Sequence, residues 1–139
     1  MKVVTAEWLR SAEADLETIT AILEKPALTA MVAFHAQQCV EKCLKALLEE
    51  FDIDAGRTGR SHNLLALKAA VEQKCSIDLD EDTLSLLNKL YIGARYPGEF
   101  GLLPDGAPAL EDAREFARFA VEAKKKVQVF LSAHGCHHS

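Results

Sequence analysis

Three short segments of this 139-residue chain combine residue types that could handle a phosphate. The first is GRTGRSH at 56–62. It sets Arg57 and Arg60 in a glycine-rich stretch directly before Ser61 and His62, and from Ala55 to Val71 the chain holds Arg57, Arg60 and Lys68 and no acid. Guanidinium groups make forked, charge-assisted hydrogen bonds, and a helix beginning after Ser61 would add free backbone N–H donors, so this basic island suits an anion. No GKS or GKT follows, so it is not a Walker loop, and its plain alternative is a flexible connection. The second segment carries Gln38, Glu41, Lys42 and Lys45 along one helical face, whose plain alternative is a solvated polar surface. The third is YIGARYPGEF at 91–100, where Tyr91, Arg95 and Tyr96 could stack a base and pair a phosphate. Its structural alternative makes Tyr91 part of an apolar stripe, Arg95 a helix C-cap and Pro97 a chain breaker.

Sulfur and imidazole offer a different chemistry. Cys39, Cys43, Cys75 and Cys136 include no CxxC pair. His35, Cys39 and Cys43 share a helical face, but His35 and Cys43 lie about 12 Å apart along the axis, too far to hold one zinc. Cys39 and Cys43 read instead as small buried hydrophobes. The terminal HGCHHS could pick up a transition metal through His134, Cys136, His137 and His138, but a frayed tail from about residue 134 is the expected state. No metal site and no cofactor is assigned.

The elements that must position these residues are helical. Trp8, Leu9, Ala12, Leu16, Ile19 and Leu23 recur at three- and four-residue steps, predicting a first helix over Thr5–Glu24 with Thr5 as N-cap and Pro26 as its stop. A second helix over Leu28–Phe51 has the apolar stripe Val32, Ala36, Cys39, Val40, Cys43, Leu47 and Phe51, with Gln38, Glu41, Lys42, Lys45 and Glu49 opposite. DIDAGRTGRS at 52–61 reads as a mobile connection. Ser61 is the expected N-cap of a third helix ending near Cys75, and Asp80 that of a fourth containing Leu84, Leu87, Leu90 and Tyr91. Residues 94–109 hold three of the four prolines and three of the seven glycines, which excludes regular structure there. A last helix spans Leu110 to about Ala133, with Ala113, Phe116, Ala117, Ala120, Val127 and Phe130 facing inward. No run alternates as a strand does. The expected fold is all-α, an up-and-down bundle of about five helices forming one domain over 1–139.

Composition narrows the function classes. Hydrophobic residues at 49% and charged residues at 27% describe a globular chain rather than a disordered one. With 16 basic against 21 acidic side chains the net charge is −5, which argues against coating duplex DNA by bulk charge. No stretch approaches the ~20 apolar residues of a membrane span, and MKVVTAEWLR lacks a signal-peptide run, so a cytoplasmic location without membrane contact is expected.

Together the three segments resemble the signature of the HEPN family (higher eukaryote and prokaryote nucleotide-binding domains). Gln38, Glu41, Lys42, Lys45, Ala46 and Leu47 match its Q-x-x-E-K-x-x-K-A-L helix. His62 and Leu64 match its T-H-D-L helix start, with Ser61 in place of Thr and Asn63 in place of Asp, and Arg95, Tyr96 and Pro97 match its R-Y-P turn. The resemblance implies a helical bundle that commonly forms a homodimer and is often paired with a minimal nucleotidyltransferase, in some cases as a toxin–antitoxin system. Catalytic members are metal-independent ribonucleases with an Arg-x4–6-His motif late in the bundle. No histidine follows Arg95 at that distance, and Arg57 and His62 have the spacing only before the third helix. The resulting expectation is a non-catalytic module that binds a nucleotide or RNA phosphate, a partner nucleotidyltransferase, or both. Its phosphate site is assigned to Arg57, Arg60, Ser61, His62, Arg95 and Tyr96, with Lys42 and Lys45. The alternatives are a ribonuclease using His62 and Arg57, and a purely structural dimeric interaction domain.

Overall fold

The computed structural model describes residues 1–95 and 106–134, with the backbone alone at 93–95. Five helices run in order: α1 Val3–Ile22, α2 Thr29–Glu50, α3 Leu64–Val71, α4 Glu81–Arg95 and α5 Leu110–His134. Short 3-10 turns at Pro26–Leu28 and Gly56–Arg60 lie between α1 and α2 and between α2 and α3. No strand occurs among the described residues. This is the all-α bundle that the helical periodicity predicts.

The centre of the bundle is α2, which packs against α1, α3, α4 and α5. Its apolar stripe is fully covered at Val32, Ala36, Cys39, Val40, Cys43, Leu44 and Leu47. Part of the supposed solvated face is covered as well, Glu41 at 4% and Lys45 at 8% exposure, while Gln38 and Lys42 are half-buried and only Glu49 is exposed, which corrects the expectation for that surface. A helix enclosed by four others has little perimeter left for water, so polar residues on it must find partners inside.

The helix ends carry three further corrections. Thr5 does not cap α1. It lies inside the helix, and its hydroxyl donates to Glu50 Oε1 at 2.9 Å, while the same oxygen accepts the Lys2 backbone N–H at 2.9 Å. Ser61 does not cap α3. Asn63 does, its Oδ1 accepting from Leu65 N at 3.1 Å and Ala66 N at 3.3 Å. The helix is also shorter than expected, stopping at Val71 ahead of Cys75. Asp80 does cap α4, accepting from Thr83 N at 3.0 Å and from the Thr83 hydroxyl at 2.7 Å. On α5 the expected inward residues are buried except Phe130, which is half-buried and meets Phe51 edge-to-face at 5.6 Å.

The exit from α2 aims the arginine segment. Ile53 N bonds Leu48 O at 2.9 Å and Asp52 N bonds Glu49 O at 3.3 Å, a Schellman closure with Asp52 in the left-handed position at φ 52°. Ile53 is buried, and the Asp52 carboxylate pairs with the Lys2 ammonium. The closure reverses the chain into Gly56–Arg60, which is an ordered 3-10 turn rather than the structureless connection expected.

Candidate functional site

Most of the motif residues on α2 meet at one buried carboxylate. Glu41 Oε2 accepts from Lys45 Nζ at 2.9 Å. Glu41 Oε1 pairs with His62 Nδ1 at 2.9 Å and accepts from Gln37 Nε2 at 3.3 Å and Gln38 Nε2 at 3.5 Å. Gln37, wholly buried, also donates to the His62 backbone carbonyl at 2.8 Å. The helix spacing makes this possible, because residues 37, 38, 41 and 45 lie within two turns on one side. The effect is to staple the start of α3 onto the middle of α2.

A parallel arrangement stands further toward the N-terminus of α2. Asp15 of α1, 6% exposed, accepts from Lys42 Nζ at 2.8 Å through Oδ2 and pairs with His35 Nδ1 at 2.9 Å through Oδ1. Lys42 and Lys45, both assigned to the phosphate site from sequence, thus have their charges balanced within the fold. Lys68, the third cation of the basic island, is also buried. Its ammonium is held above the usual lysine range by Glu72 and, to a smaller degree, Glu81.

The N-terminus of α3 corrects another expectation. The free N–H groups awaited after Ser61 are occupied: Asn63 N donates to Ser61 Oγ at 2.9 Å, Leu64 N to Asn88 Oδ1 at 3.0 Å, and Leu65 N and Ala66 N to Asn63 Oδ1. Asn88 Nδ2 in turn donates to Asn63 Oδ1 at 3.0 Å, tying α4 to this corner. A phosphate would therefore find no open backbone donors at those four residues. Gln37, Asn88 and Asp15 were not singled out by sequence. Single polar residues on amphipathic helices carry no signal of the partner waiting across the bundle.

What remains for a ligand is the 3-10 turn and its border. Arg57 and Arg60 are both exposed, and neither has an ion pair among the described residues. In contrast, Arg10, Arg114 and Arg118 are paired with Glu7, Glu24 and Glu115. His62 is next in line, its side chain 49% exposed, with its ring 5.4 Å from that of Tyr91, which stacks on Phe34 at 5.3 Å. Arg95 is the last residue of α4, but its side chain, like Tyr96 and Pro97, lies outside the described residues, as do Cys136, His137 and His138.

A helical bundle whose QxxEKxxK helix is locked through a carboxylate to the S-H-N-L helix start defines a domain class, and the sequence matches the HEPN domain over residues 5–127. The chain belongs to the HEPN family, whose domains are nucleotide- or RNA-related modules. Searches of curated proteins and of solved structures returned no significant match.

Proposed function

We propose that this HEPN domain is a non-catalytic module that binds the phosphate of a nucleotide or RNA at the turn Gly56–Arg60. The observation that carries the reading is the pair of exposed arginines, Arg57 and Arg60, which have no carboxylate partner among the described residues, while the other three arginines with described side chains each have one. Residues three apart eclipse in a 3-10 helix, so the two guanidinium groups leave the same side of the turn. His62 follows them in sequence, and Arg95 and Tyr96 of the R-Y-P motif remain candidates from sequence alone, the Arg95 side chain and Tyr96 lying outside the described residues. Each charge-assisted hydrogen bond is worth roughly 1.5–3 kcal/mol. Losing two arginines should therefore weaken binding by at least about tenfold after desolvation.

The test is titration of ATP, GTP and a short RNA into wild type and into the double variant Arg57→Ala/Arg60→Ala at fixed salt. Weaker binding by the variant is expected, and equal affinity overturns the assignment. The same reading includes a homodimer and a partner of the minimal nucleotidyltransferase class, to be tested by sedimentation at micromolar concentration and by co-purification. Absence of any nucleotide or RNA binding by wild type would leave a structural interaction domain.

One observation favours a second reading as a metal-independent ribonuclease. A buried carboxylate orients His62 through Nδ1 while half of that side chain faces water, and Arg57 stands five residues before it. Such a pairing is how proteins orient an imidazole for proton transfer. RNA cleavage by wild type that is lost in His62→Ala would establish this reading over the first.

A further inference from the structure

The turn that carries Arg60 also walls a cleft of about 530 Å³, bordered by Trp8 of α1, Lys45 and Glu49 of α2, and Gly56, Gly59 and Arg60. That volume lies within the range of small-molecule sites. Its lining combines four kinds of group. Trp8 supplies an aromatic ring, half-buried against the core, with Lys45 Nζ over it at 5.5 Å from the centroid. The Lys45 charge is balanced by Glu41, and a base would meet the part of the ring that Lys45 leaves open. Arg60 supplies a cation with no ion-pair partner among the described residues. Glu49 supplies an exposed carboxylate that makes no side-chain hydrogen bond or ion pair among the described residues. It does feel the Lys2 ammonium, which donates to the Glu49 backbone carbonyl and pairs with Asp52, while Asp54 Oδ1 accepts Gly56 N.

The fourth component is bare backbone. Gly56 and Gly59 are one 3-10 turn apart and both line the cleft. Gly56 has φ +54°, a conformation that favours glycine for the chain's own sake. Gly59 has no such need: a Cβ there would meet only the Ala55 Cβ, at an ordinary 3.8 Å. The fold does not require glycine at 59, whereas a ligand approaching the backbone would.

We infer that this cleft is a nucleobase subsite for a guanine nucleotide, with the base against Trp8, its donor edge on Glu49 and its phosphate on Arg60. The inference rests on the phosphate-binding reading above and adds to it the base and the pocket that receives it. Nucleic-acid bases stack readily on indole, and stacking tolerates any base, so Trp8 alone does not select. Glu49 does. A carboxylate is acceptor-only, and guanine presents two adjacent donors, N1–H and the 2-amino group, on one edge, whereas adenine presents a single amino group beside a ring acceptor that the carboxylate would repel.

Trp8 is the only tryptophan in the chain, so its fluorescence reports on the cleft directly. The experiment titrates GMP, AMP and ribose 5-phosphate into wild type, Glu49→Gln, Gly59→Val and Arg57→Ala/Arg60→Ala, following Trp8 emission and, in parallel, heat of binding. Saturable quenching by GMP is expected, with affinity at least about tenfold above that for AMP. Glu49→Gln should erase that preference, and Gly59→Val should weaken GMP while leaving the heat of ribose 5-phosphate binding intact. Arginine-dependent binding of GMP without Trp8 quenching, or equal affinity for GMP and AMP, overturns the base subsite and leaves the phosphate reading standing. Binding of none of the three ligands to wild type overturns the base subsite, and the phosphate reading is then decided by the ATP, GTP and RNA titration above.

Discussion

Replacing Glu41 by alanine should cost the domain about 3–5 kcal/mol, because it strands a buried ammonium. Lys45 is 8% exposed, and its ammonium has Glu41 Oε2, at 2.9 Å, as its carboxylate partner. The same change also removes the acceptor for His62 Nδ1, so at this point the start of α3 is left tied to α2 only by Gln37 Nε2 donating to the His62 carbonyl. For a domain of this size, with total stability of about 5–15 kcal/mol, the loss is a large fraction. With a urea slope of about 2 kcal/mol per molar it moves the unfolding midpoint by roughly 2 M. Removing both charges behaves differently. Glu41→Leu/Lys45→Leu leaves no stranded ion and should be more stable than Glu41→Ala, since apolar replacements of buried pairs are often neutral. Urea unfolding followed by far-UV circular dichroism measures both. A midpoint shift under about 0.5 M for Glu41→Ala, or a double variant no better than the single one, would refute the argument that this pair is a desolvated internal contact.

Asn63→Ala should destabilise the domain by about 1–2 kcal/mol, and Ser61→Ala by less, because Asn63 caps two N–H groups of α3 and also accepts from Asn88. The reverse order in thermal or urea unfolding would restore Ser61 as the cap. Burial pushes the Cys75 thiol up to about 11 and raises Cys39 through its contact with Cys43 and through burial. At pH 8 only about one Cys75 in a thousand is thiolate, and Cys39, Cys43 and Cys75 are all buried, so these three should resist a thiol reagent in the native protein and react in urea. Rapid native labelling of two or more cysteines would contradict this. Hydrogen bonds from the Thr83 hydroxyl and N–H hold the Asp80 carboxyl below its ordinary range. A carboxyl lowered in the fold stabilises above its unfolded value of about 3.9 and loses that contribution as pH falls through the folded value. Asp80→Asn should therefore flatten the decline in stability on acidification from about pH 5, and superimposable pH profiles would count against the cap.

The amino-acid sequence by itself determined the helices, the family and the sites of greatest apolar burial. Three- and four-residue spacing placed α1 and α2 within two residues of their observed ends, put Cys39 and Cys43 in the core and identified Asp80 as a cap. These are local properties, set by backbone geometry and by which side chains avoid water, and a linear pattern carries them. Only the tertiary structure decided where the polar residues of α2 go. Periodicity divides a helix into a wet and a dry face, but α2 is surrounded by four other helices, so Glu41 and Lys45 are drawn inside with each other and with His62, 21 residues beyond Glu41. The same holds for Asn63 against Ser61 as cap, where Asn88 from α4 joins the choice, and for Thr5, which turns to Glu50 across the bundle. Arg57 and Arg60 show the converse: their types were legible, but their availability was not. Whether a cation is free depends on which carboxylates the fold brings within reach, and that is a distance in space rather than along the chain.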